Sequence, residues 1–290
     1  MTTRPRGCGS SAELFIAMTG TLPAGTDKPV DTLIGMKRAK GPARGWLPNQ
    51  HGAWAMLVLP WLFGLAHTVG AGRFRIEQGV LFAFWLVGYF AFFAAGLWLK
   101  SRFKPRYVPA LATYGAGAAA LGLVLLVLTP SWWPWVFVFA PICSFALWLS
   151  WRRHERDVVS GLATIVATCL IPVVMGGWSQ VPVAVALVCF GYFFGTVAYV
   201  KTVIRERGKP GWVAFSVAWH AACAVAVAWV PEPLPRWWLV AFFVAVAVRA
   251  LLVPLLGPMR GRKVDVKLVG IWEIVTSAVL VAVMLPALLG

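Results

Sequence analysis

The chain has 290 residues, of which 60% are hydrophobic and 12% charged. A soluble domain carries about 25% charged residues, so this chain has too little polar surface to cover a soluble globule, and the bilayer is its natural solvent. The formal net charge is +16. In a soluble protein that excess points to nucleic acid, but here the charges sit in short segments between apolar runs. That placement argues against nucleic acid and for topology signalling and contact with anionic lipid headgroups.

Residues 1–45 hold Gly, Pro, Thr and seven basic residues and read as a disordered basic cytoplasmic tail. Their apolar stretch, Leu14 to Met18, is too short for a signal-peptide core. Met36 opens a second candidate translation start. Residues 46–290 read as one all-α transmembrane domain. A span needs about 20 mostly apolar residues, and nine candidates follow: His51–Val69, Gln78–Leu99, Val108–Leu128, Trp135–Trp151, Val158–Val174, Val181–Val203, Trp212–Val230, Trp237–Leu256 and Leu268–Leu288. Turn chemistry such as TPSWWP, PEPLP and RGKPG separates them. The fourth and fifth are the shortest.

Nine spans fix the topology once one end is placed. With the N-terminus inside, four inner connections hold fifteen basic residues, among them Lys100, Arg102, Lys201, Arg205 and Arg260. The outer connections hold three: Arg73, Arg75 and Arg236. The positive-inside rule therefore puts the N-terminus in the cytoplasm and the C-terminus outside, in a cell (inner) membrane. Trp132, Trp133, Trp135, Trp237 and Trp238 fall where an outer aromatic belt belongs.

Candidate site residues come from polar groups in or beside the spans. Asn49 and His51 gather at the start of the first span: Asn49 is a possible helix cap, and His51 a hydrogen-bonding, proton-carrying or ligand-binding group. Lys201 and Arg205 stand at i and i+4 and share a face, suited to phosphate or carboxylate, although a lysine there also snorkels to headgroups. Gly191 and Gly195 permit close helix contact. Arg249 lies about 18 Å beyond Trp237, and Glu273 about 9 Å beyond Lys267, at 1.5 Å per residue. On consecutive antiparallel spans the two reach similar depth, so they are expected to pair or to share a polar cavity. The segment Gly-Tyr-Phe recurs at Gly88 and Gly191, a hint of a four-plus-four helical repeat. The five cysteines lack metal-ligand spacing and read as small core residues.

The segments PNQHGAWAMLVLPWLFGL and FGTVAYVKTVIRERG resemble the YwiC-like membrane family, over about residues 46–290. More distantly, nine helices with polar loops after the second and sixth look like the UbiA-type intramembrane prenyltransferase bundle. That likeness implies Asp-rich motifs holding Mg²⁺ and an isoprenoid diphosphate. Here no acidic residue lies between Trp98 and Ala110, and the sixth span is followed by Glu206 alone. Mg²⁺ needs hard oxygen ligands, so no metal, no cofactor and no catalytic residue carries over, and whether the chain is an enzyme stays open. What remains is a cavity of inverted charge, in which Lys100, Arg102, Lys201 and Arg205 face an anionic headgroup directly. Three classes compete: a protein that binds or processes an amphipathic lipid or isoprenoid, a small-solute or anion transporter, and a structural partner in a larger membrane complex.

Overall fold

The computed structural model describes residues 45–48, 51–153, 158–261 and 264–290. Ala43–Gly290 forms one compact unit. The tail read at residues 1–45 lies outside the described residues except for Gly45, and so does Asn49.

The described residues form α-helices joined by short turns and contain no strand. In chain order these are α1 His51–Gly70, α2 Glu77–Lys100, α3 Val108–Leu128, α4 Trp135–Trp151, α5 Val158–Cys169, α6 Ile171–Gly176, α7 Gln180–Val200, α8 Pro210–Ala226, α9 Arg236–Leu256 and α10 Val266–Leu289. Eight helical segments are long and apolar enough to cross a membrane, with α5 and α6 counted as one and α4 falling short at 17 residues. The fifth predicted span is therefore two helices. Pro172 lacks an N–H and crowds the preceding turn, so the helix breaks at Leu170, and Val173 N–H reaches back only three residues to the Leu170 carbonyl.

Contacts between helix ends show how the elements run. At one end, Trp135 stacks on Trp178 at 5.4 Å, and Gly70 of α1 abuts the Leu288 carbonyl of α10. Trp133, Trp237 and Trp238 are exposed at helix termini of this end. At the other, the Tyr114 hydroxyl donates to the Trp46 carbonyl at 2.9 Å, and Lys201 lies 5.0 Å from the Trp212 ring centre. Helix α4 touches both ends, because Ser150 near its C-terminus packs against Gly96 of α2.

Helix α2 ends in a turn that holds Arg102 in the left-handed region. Phe103 N–H bonds the Trp98 carbonyl and Arg102 N–H bonds that of Leu99, the paired bonds of a Schellman cap. Arg102 takes the left-handed position usually held by glycine, with φ 59°. Phe103 closes the motif on the Trp98 ring at 4.8 Å.

The core centres on α7, which packs against α1, α5, α6 and α8. Val185, Cys189, Tyr192 and Phe193 of this helix are buried, among Phe63, Leu239, Phe243, Leu280 and Met284. Gly191 and Gly195 let α8 approach. A Cβ at Gly191 would stand 2.9 Å from the Cys223 sulfur, and one at Gly195 would stand 2.6 Å from His220 Nε2 and 3.0 Å from Trp219. The matching Gly88 of α2 faces open space, so the two Gly-Tyr-Phe segments occupy unlike environments. Helices α2 and α3 pack chiefly on each other, at the periphery.

Two outcomes follow. Gly195→Ala forces His220 out of a filled site and should lower stability by about 1–3 kcal/mol, whereas Gly88→Ala should be neutral or stabilising by about 0.5–1 kcal/mol; thermal melting in detergent compares them. Arg102→Gly removes left-handed strain and should raise stability by about 1 kcal/mol, with Arg102→Ala giving no such gain.

Candidate functional site

The polar stripes of three helices converge inside the bundle. On α7, Tyr192, Thr196 and Tyr199 recur at i, i+4 and i+7, one face of a helix. On α10, Glu273, Thr276 and Ser277 recur at i, i+3 and i+4. Helix α9 contributes Arg249. The expected pairing is present: Arg249 Nη2 lies 2.9 Å from Glu273 Oε1. Arg249 Nη1 donates to the Thr276 hydroxyl at 2.9 Å, and its guanidinium lies over the Tyr199 ring at 4.3 Å. On the far side of the carboxylate, Thr196 donates to Glu273 Oε2 at 3.1 Å. The Tyr192 and Ser277 hydroxyls share a 2.9 Å hydrogen bond, and Tyr192 also donates to the Glu273 carbonyl at 3.4 Å.

This arrangement neutralises a charge pair within the apolar part of the bundle and supplies a hydroxyl donor to Glu273 and a hydroxyl acceptor to Arg249. That combination makes buried ions tolerable. The pair is not sealed, since each side chain keeps 16% of its surface exposed. Nor is it saturated. Arg249 Nε is buried without a hydrogen-bond partner. His220 is buried on α8, its Nδ1 2.7 Å from the Ser216 carbonyl and its Nε2 without a partner.

The other site residues named from sequence stand at the basic helix ends. His51 opens α1. Lys100 closes α2, and Arg102 is the left-handed cap after it. Lys201 and Arg205 bound a π-helical turn that continues α7. Such turns insert one residue into the hydrogen-bond ladder and occur often at functional sites. Here the turn carries Lys201 onto Trp212, and the Thr202 hydroxyl onto the carbonyls of Ala198 and Trp212. Just beyond it, Lys209 donates to Glu206 at 2.7 Å. That bond, aided by the positive charges of Lys209 and Lys201, holds the Glu206 carboxyl below its ordinary value, so the contact survives until the pH falls through that lowered value. Lys100 and Arg102 belong to a helix packed on α3 and α4, and Lys201 and Arg205 to one packed on α8, α1 and α5.

A second feature carried no sequence signal. Between α8 and α9 lies a wholly apolar groove of about 350 Å³, walled by Pro210, Ala214 and Ala218 on one side and Leu251, Leu255 and Met259 on the other. Lys209 immediately precedes Pro210, and Arg260 follows Met259. The groove lies round α9 from Arg249. Leu251 is about 200° from it at 3.6 residues per turn.

Comparison with known proteins gives the chain relatives but no structural neighbour. Residues 47–176 match the model of the YwiC-like protein family. That segment spans α1 through α6 and stops before the polar cluster. Uncharacterized protein YwiC of Bacillus subtilis is 28% identical over 247 residues, 82% of this chain and 96% of that protein. An uncharacterized protein of Haemophilus influenzae is 27% identical over 256 residues, 84% and 98% of the two chains. No solved structure matches, so the UbiA-like bundle is without a structural counterpart among them.

Arg249→Met leaves Glu273 without its cation and should cost about 3–5 kcal/mol, whereas Arg249→Met with Glu273→Gln should recover most of that loss. Melting temperatures of the two variants and the parent in one detergent check this.

Proposed function

We propose that this chain, a YwiC-like multi-pass membrane protein, binds an amphipathic lipid or isoprenoid with an anionic headgroup at the groove between α8 and α9. The observation that carries the reading is the juxtaposition of a wholly apolar trough with basic residues at its end. Its volume of about 350 Å³ falls in the usual range for small-molecule sites, roughly 300–1,000 Å³. An alkyl or prenyl chain fills the trough, and Lys209 and Arg260 meet the headgroup oxygens.

The topology belongs to the same proposal. The chain crosses nine times, with α4 as the short crossing; its contacts with both ends of the bundle support that count. Arginine and lysine gather at one end and exposed tryptophan at the other. By the positive-inside rule the basic end is cytoplasmic, the N-terminus lies inside, and the protein resides in the cell inner membrane. Lys100, Arg102, Lys201 and Arg205 then meet the headgroups of the inner leaflet. A second reading, transport of a small solute or anion, is favoured by the ion pair within the bundle.

Native mass spectrometry of the protein in gentle detergent tests the groove. The parent should retain an anionic lipid or isoprenoid phosphate. Ala218→Trp, which fills a lipid-facing trough and leaves the core alone, should lose it while melting normally. Identical lipid retention by parent and variant would defeat the assignment.

A further inference from the structure

We infer that Arg249 is the receptor for the carboxylate of an amphipathic acid entering between α9 and α10, and that Glu273 holds this place while the site is empty. The site is separate from the groove, on another face of α9, and does not depend on the groove being occupied.

Four observations carry it. First, the guanidinium is only partly used. Nη1 is committed to Thr276 and Nη2 to Glu273 Oε1, but Nε is buried with no hydrogen-bond partner. Nε and Nη2 form an edge of the fork that takes a carboxylate through two parallel hydrogen bonds, and Glu273 occupies only its Nη2 half.

Second, Glu273 has support that is independent of Arg249. Thr196 on α7 donates to its other oxygen, so the carboxyl keeps an anchor when the cation turns away.

Third, the seam between the two helices is thin. Helices α9 and α10 touch little, since α9 packs mainly on α8 and α10 mainly on α1. The pair keeps 16% exposure on both side chains, and Thr276 beside it reaches the surface.

Fourth, the depth suits an amphiphile. Arg249 is seven residues from the end of α9 at Leu256, and Glu273 seven from the start of α10 at Val266. Both lie about 10 Å within their helices from the basic end, within reach of an acid whose chain lies in the adjoining leaflet.

Charge balance adds a proton. The empty site holds Arg249 as a cation and Glu273 as an anion. When the ligand carboxylate takes the fork, a carboxyl left without its cation among apolar groups keeps a proton rather than a charge. That proton comes from solvent and resides on Glu273, so the occupied site is again neutral. Among the described residues, the other titratable side chains near it are Tyr192 and Tyr199 on α7, and His220 on α8 lies close enough for the Arg249 charge to act on it.

The test uses the full chain in detergent, decanoate as the probe and decanol as its uncharged control. Binding is followed by calorimetry and proton uptake by a pH-indicator dye. The parent should bind decanoate with uptake of close to one proton per ligand. Glu273→Gln should bind more tightly and take up none, because the internal competitor is gone. The paired variant Arg249→Met with Glu273→Gln, which avoids an unpaired charge, should melt like the parent. It should lose decanoate affinity by about tenfold or more, the loss expected of charge-assisted hydrogen bonds, with decanol unaffected. Equal decanoate binding by that variant, equal affinity for decanol in the parent, binding without proton uptake, or no binding by either the parent or Glu273→Gln would each overturn the assignment.

Discussion

A polar group between the ends of these helices must find its partner inside the protein, because the hydrocarbon around them offers none. Backbone groups meet that demand by being helical. Charged side chains meet it by pairing, and among the described residues the deep ion pair sits at the junction of α7, α9 and α10. Arg249 and Glu273 cancel each other, while Thr196 and Thr276 take further bonds. Other charged residues stand at or beyond helix ends, where Lys209 pairs with Glu206 and Arg75 with Glu77.

The same constraint explains why α7 holds the centre. A helix surrounded by others needs small residues where neighbours come close, and Gly191 and Gly195 supply them toward α8. With α8 drawn in on that side, the face bearing Tyr192 and Thr196 is left to α10. The polar junction thus rests on two glycines that take no part in it. At the periphery the rules relax: Gly88 repeats the Gly-Tyr-Phe context without any neighbour to admit.

Sequence alone carried the helices well, because apolar length and turn chemistry act locally. It also carried the Arg249–Glu273 pair, since two lone charges at equal depth on antiparallel neighbours have few alternatives. The hydroxyl stripes at Tyr192, Thr196 and Tyr199 and at Glu273, Thr276 and Ser277 were visible as helical spacing, but such residues gain meaning only once the helices are known to face each other. The break at Leu170 was signalled by Pro172 and submerged in an apolar run. The left-handed cap at Arg102 was hidden for a different reason: it occupies a position where glycine is the usual marker. The groove between α8 and α9 left no trace, because Ala214, Ala218 and Leu255 are what any lipid-facing helix carries.

Helix α9 carries Arg249 on one flank and Leu251 and Leu255 on another, with the buried Phe243 and Ala250 between. A helix is stiff along its length, so these flanks cannot turn separately. Any rotation of α9 about its axis that parts Arg249 from Glu273 also swings the wall of the groove. The helix is in this sense a shaft with two cams. The two flanks therefore move as one body, with no chain of intermediate side chains needed to link them.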